Sequence, residues 1–274
     1  MKKLFVGSMM VIAMLAAVGS GGPVHGEENG NDKVYIPDYS IRANVFGELG
    51  IQEPEESFIP SINQLGTLNY MTVFGSGDGS FGSLHGFQYM KNVKELDGGY
   101  NDNIQDFRPI SGMTSLERIN MSMNVFEDRD SAVDISFAQH LPNLKEFVFE
   151  YNVLDLTPLN EIENLKKISV GNWGDRNIVK GSQQIVSRST KEFMMVNPVT
   201  YSTQFEDIDL TVTAVDTSGN LLDVSVSEDE KVFTISDIPE NMESIKLQIE
   251  KSNYEVDSNY VQHISMYNVP LYWN

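Results

Sequence analysis

Residues 84–101 read LHGFQYMKNVKELDGGYN, with Leu84, Phe87, Met90, Val93 and Leu96 apolar at every third position and Asn101 closing the run. The same rhythm returns as Ile110, Met113, Leu116, Ile119 and Met121 with Asn124. It returns again as Leu141, Leu144, Phe147 and Phe149 with Asn152, then as Leu159, Ile162, Leu165, Ile168 and Val170. The aligned positions Leu96, Ile119, Phe147 and Ile168 lie 23, 28 and 21 residues apart. A period in that range, with the spacing L-x-x-L-x-L-x-x-N, is the mark of leucine-rich repeats. One coil cannot enclose its own apolar side chains, so stacked coils must bury them together.

The alternation of a strand then sorts the neighbouring residues to the opposite face. That expectation turns Tyr70, Thr72 and Phe74 outward on a first coil and Glu95, Asp97 and Tyr100 on a second. Arg118, Asn120, Ser122 and Met123 follow on a third, Glu146, Val148, Glu150 and Tyr151 on a fourth, and Lys167 and Ser169 on the last. Exposed aromatic anchors among charges are what a protein-recognition surface requires. The rival expectation is a glycan-binding module for peptidoglycan or host sugars, with Phe74, Tyr100 and Tyr151 stacking on the rings. A blander one has some of these rings packed against neighbouring turns.

The return segments Ile104-x-Asp106-Phe107-x-Pro109-Ile110 and Leu154-x-Leu156-x-Pro158-Leu159, with the 83–93 stretch, resemble the internalin family of Gram-positive bacteria. Ile36-Pro37-Asp38, Ile41 and Arg42 are similar to that family's helical cap, and Asn197-Pro198-Val199-Thr200 with Ile235-x-x-Ile238-Pro239 to its immunoglobulin-like domain. The resemblance implies an α+β chain. A short solenoid with an N-terminal helical cap would be followed by an all-β immunoglobulin-like sandwich that shields the last coil. It also implies a concave face that binds a protein: a host receptor or another bacterial surface protein. Two departures are Gly98, which stands where an inward leucine belongs, and an insertion around 126–133.

The remaining sequence fits that frame. Lys2 and Lys3 before an apolar run from Leu4 to Val18 read as a secretory signal, cleaved after Gly26 or, alternatively, after Gly19 or Ala17. The expected layout is then 1–26 signal peptide, 27–66 polar linker and cap, 67–178 about five coils, and 179–274 sandwich. Asp38 is placed to start a helix through Ile41, Val45 and Leu49, and Gly50 to end it. A second short helix is expected to turn Ile62 and Leu65 inward. From about Ile178 the period becomes two: Leu210, Val212 and Ala214, a turn at Asp216–Asn220, then Leu222, Val224 and Val226. Val232, Thr234 and Ser236, then Ile245, Leu247 and Ile249, then Val261, Ile264 and Met266 continue it. No wall-sorting signal closes the chain at Asn274, so a released or noncovalently held monomer is expected.

Composition narrows the function. With 19 basic against 39 acidic residues the formal charge is −20, and it becomes −22 once the leader is removed. Phosphate binding needs a basic footprint, so nucleic acid and anionic membranes are poor partners. There is no cysteine, which removes disulfides, zinc thiolates and thiol nucleophiles. His85, His140 and His263 stand in no nucleophile or H-E-x-x-H context. The glycine run 75–82 lacks the phosphate-loop spacing and its lysine. Glu127-Asp128-Arg129-Asp130, Asp207-x-Asp209 and Glu228-Asp229-Glu230 match no calcium-loop spacing and read as solvated charge runs. No enzyme, metal or cofactor is expected.

Overall fold

A computed structural model describes residues 29–52, 58–74, 82–99, 104, 106–122, 132–172, 178–253 and 260–274. The leader, most of the 75–82 run, Tyr100, Asn101, Met123, Asn124 and residues 126–131 of the insertion lie outside the described residues.

Helix α1 spans Tyr39–Glu48. Asp38 Oδ1 accepts from the Ser40 and Ile41 amides at 3.0 and 3.1 Å, satisfying donors that the first turn leaves unpaired. Gly50, at φ 71°, ends it. Its amide donates to Gly47 O and the Ile51 amide to Phe46 O, at 3.0 and 2.9 Å, the paired closure of a Schellman motif. Helix α2, Ile62–Leu65, begins on a capping box between Ser61 and Gln64. Ile41, Val45 and Leu65 join one apolar core with the coil residues Met71, Val73 and Leu96, so the helices bury the end of the stack.

Five parallel strands follow: β1 Tyr70–Phe74, β2 Glu95–Gly99, β3 Arg118–Met121, β4 Glu146–Phe149 and β5 Lys167–Asn172. They pair in chain order, and the inward row runs Met71, Leu96, Ile119, Phe147 and Ile168 in register. Each strand-to-strand return is a 3-10 turn, at Phe87–Tyr89, Arg108–Gly112, Ser136–His140 and Thr157–Leu159. Pro109 and Pro158 occupy the second position of their turns, still within the first turn, where no amide is needed. Asp106, Asp134 and Asp155 each accept from the amide two residues on, at 3.0, 2.8 and 3.0 Å. These Asx turns explain why an acid recurs before the 3-10 turn. The coils thus take the leucine-rich-repeat form.

The remaining strands are β6 Val179–Lys180, β7 Gln184–Val186, β8 Phe193–Val196, β9 Leu210–Val215, β10 Leu221–Val226, β11 Val232–Ser236, β12 Ser244–Asn253 and β13 Tyr260–Trp273. A second core joins Phe193, Phe233 and Ile235 to Leu247, Ile249 and Val269, packing β8 and β11 against β12 and β13. Strand β10 pairs through Leu221 and Leu222 with β9 and through Asp223–Val226 with β11. Two expectations of strand phase are corrected. On β11 the core residues are Phe233 and Ile235, not Val232 and Thr234. On β13 the wholly buried residues at the start are His263 and Ser265, whereas Val261, Ile264 and Met266 are half-buried.

The cause is a junction that alternation alone does not encode. Strand β13 pairs antiparallel with β12 along ten residues. Over Tyr260–Ser265 it also pairs in parallel with β5, as a sixth rung of the repeat sheet. On one face there His263 meets the Tyr201 ring edge-on at 5.4 Å and lies 3.1 Å from Ser265 Oγ, so polar side chains are buried. Val199 and Phe205 complete the solenoid core from the same junction.

Candidate functional site

The outward face of the parallel sheet is built by register. One row runs Tyr70, Glu95, Arg118, Glu146, Lys167 and Tyr260, and the next Thr72, Asp97, Asn120, Val148, Ser169 and Gln262. The expected site residues on five strands therefore do meet on one surface. Phe74, Ser122 and Glu150 continue it at the C-terminal ends of β1, β3 and β4.

Arg118 sits at its centre. Its Nη2 reaches Glu95 Oε2 at 2.7 Å and Asp97 Oδ2 at 2.8 Å. The hydrogen bond to Glu95 leads the causes that raise its pKa above the ordinary arginine value. Tyr70 donates to Asp97 Oδ2 at 2.9 Å. Desolvation, then that bond, raises the tyrosine's pKa. Lys167 and Glu146 pair at 3.6 Å, and just off the face Glu117 is held by Lys94 and Lys145 at 3.4 and 2.5 Å. Asp97 Oδ1 and Asn120 Oδ1, on facing residues, are buried with no hydrogen-bond partner. Beside this lattice, Tyr70 and Phe74 remain 37% and 49% exposed.

Two expected members fail. Tyr151 is wholly buried, with its ring 4.5 Å from Phe149 and edge-on to Phe107 at 5.0 Å. It shares the parity of Phe147 and Phe149, and alternation sends it inward with them. Ser169 points the right way but is only 6% exposed. Tyr100 and Met123 lie outside the described residues. Conversely, Tyr260 belongs to the face, and its hydroxyl donates to Gln262 Oε1, a side chain that is itself buried beside Ser169. Both come from a strand far along the chain, and nothing in the repeat spacing announces them.

Among the described residues no group of acids or histidines is arranged to hold a metal ion, and no helix is long and apolar enough to cross a membrane. The fixed charges and exposed rings of the face equip it for noncovalent contact.

No family model matches the chain, and no curated protein does. Solved structures similar to it include the functional domain of InlJ from Listeria monocytogenes, which includes a cysteine ladder. That match has a TM-score of 0.34 and 8% identity, over 78% of this chain and 50% of that one. The chain thus spans about half the length of that InlJ domain. Listeria monocytogenes InlP matches with a TM-score of 0.26 and 11% identity, over 87% of this chain and 96% of that one. The internalin-like protein lmo2027 of Listeria monocytogenes matches with a TM-score of 0.25 and 8% identity, over 86% and 96%.

Proposed function

We propose that the chain is a secreted, cell-surface-associated binding protein that docks a protein partner on the outward face of its parallel sheet. It acts as an adhesin or as one subunit of a bacterial surface assembly. In this reading α1 and α2 are the helical cap, and the C-terminal strands are an immunoglobulin-like sandwich closing the other end. The observation that carries it is the pairing of two partly exposed aromatic side chains, Tyr70 and Phe74, with the Arg118–Glu95–Asp97 lattice beside them. Such anchors are ordered before contact, so little side-chain freedom is lost on docking.

The glycan reading rested on three rings. Of these, Tyr151 is in the core, so the fourth coil offers no ring for stacking. Protein is therefore the preferred partner. The test is the double substitution Tyr70→Ala with Phe74→Ala. It should weaken capture of cross-linked partner on intact cells at least about tenfold while leaving the thermal midpoint within about 2 °C. Unchanged capture, or retention on purified walls stripped of protein, would contradict the proposal.

A further inference from the structure

Strand β8 ends the sheet order and, among the described residues, pairs only with β11. The Asn197 amide donates to Lys231 O at 2.8 Å, which fixes the phase of that antiparallel ladder. Phe193 and Met195 then turn their main-chain groups toward β11, and Met194 and Val196 turn theirs away from it. Among the described residues nothing takes up those outward N–H and C=O groups. Their side chains are 70% and 72% exposed.

This free edge is a slot with two ends. Two residues past Pro198 and in the same phase, Thr200 is paired in parallel with Asp155: its amide donates to Leu154 O at 2.8 Å and its carbonyl accepts from Leu156 at 2.9 Å. At the other end the 187–192 turn closes, with the Ser187 amide on Glu192 O at 3.1 Å. Between them a cavity of about 460 Å3 separates β8 from the β6–β7 segment, with Met195, Val179 and Val269 among its apolar lining. Asn152 and Tyr267 also line it, and Asn152 Oδ1 is buried with no partner among the described residues. Among the described residues Lys180 carries the only charge in the lining, in a chain with 39 acids.

We propose that this slot receives an extended segment of a partner polypeptide as an added strand. The segment pairs its main chain with Met194 and Val196, lays apolar side chains into the cavity, and sets a carboxylate against Lys180. A free strand edge is a template for β-augmentation. Among the described residues the lining holds a cation and no acid, which selects an apolar segment bearing an acid over a basic one. This surface is separate from the outward face of the repeat sheet, so either can fail without the other.

The test uses the secreted chain and a fluorescent peptide of sequence Val-Thr-Val-Asp-Val-Thr-Val, followed by anisotropy. Saturable binding is expected. Val196→Pro removes an outward amide without touching the β11 ladder, a substitution that edge strands tolerate. It should weaken binding at least about tenfold, and Lys180→Glu should weaken it several-fold. The same peptide N-methylated at alternate residues should not bind the unsubstituted chain, a readout independent of how the proline variant folds. No saturation up to about 1 mM overturns the proposal, as does equal binding of the methylated peptide or of a folded Val196→Pro chain. A dimer dissolved by Val196→Pro also overturns it, assigning the edge to a second copy.

Discussion

Tyr151 shows how one residue separates anchor from core. Its ring closes a cluster with Phe107, Phe137 and Phe149 inside the coils, and truncation leaves a cavity there. Tyr151→Ala should therefore cost about 3–5 kcal/mol in urea denaturation, whereas Thr72→Ala on the outward face should stay within about 0.5 kcal/mol. Equal costs would mean that the two faces are misassigned. Close approach decides another position. A methyl group on Gly112 would lie 2.4 Å from Gln88 O, so Gly112→Ala must push two stacked 3-10 turns apart. A loss of about 1–3 kcal/mol is expected by the same measurement.

His263 makes a prediction about pH. It is wholly buried at the junction, with Ser265 Oγ 3.1 Å from Nε2, the Tyr201 hydroxyl 3.4 Å from Nδ1 and a hydrogen bond with the Val153 backbone. Burial pushes its pKa down to about 4, against an ordinary 6.5. The folded value is the lower one, so the neutral ring's contribution is complete above about 6.5 and is lost as pH falls toward 4. Unfolding free energy should drop by up to about 3 kcal/mol across that window, and a folded His263→Gln variant should lose that part of the slope. A profile unaltered by the substitution would show that the ring is not desolvated.

At the scale of elements, what the sequence exposes is local periodicity. The parallel strands follow from spacing at three and two, and α1 from its cap residues. Asp38→Ala, which removes the acceptor for two amides, should cost about 1 kcal/mol in the same urea titration. Long-range pairing is what spacing leaves out. Strand β13 reads as alternating Val261, Ile264 and Met266, yet its inward side chains are set by which two sheets it joins. Strands β6–β8 escaped because they are two to four residues long, too short to show a period. Tyr151, by contrast, was legible: it stands two residues past the inward Phe149, on the parity of the core.

For the molecule as a whole, β13 joins the repeat strands and β8–β12 into one hydrogen-bonded sheet. Gly171, at φ 131°, lets the main chains touch, because a Cβ there would fall 1.8 Å from Ile264 O. Gly171→Ala should thus split a single thermal transition into two by calorimetry, and retention of one would contradict the coupling. The central claim is the two-faced ladder itself, one side in the core and the other presented to a partner. The chain has no cysteine, so single cysteines can be placed along adjacent rungs without background. Thr72→Cys, Asn120→Cys and Val148→Cys should react with benzophenone-maleimide in the native state and then photo-crosslink one protein species on intact cells. Met71→Cys, Ile119→Cys and Phe147→Cys should react only after unfolding. Reaction at both sets alike would contradict the ladder, and labelling of the outward set with no protein crosslinked would contradict its use as a docking face.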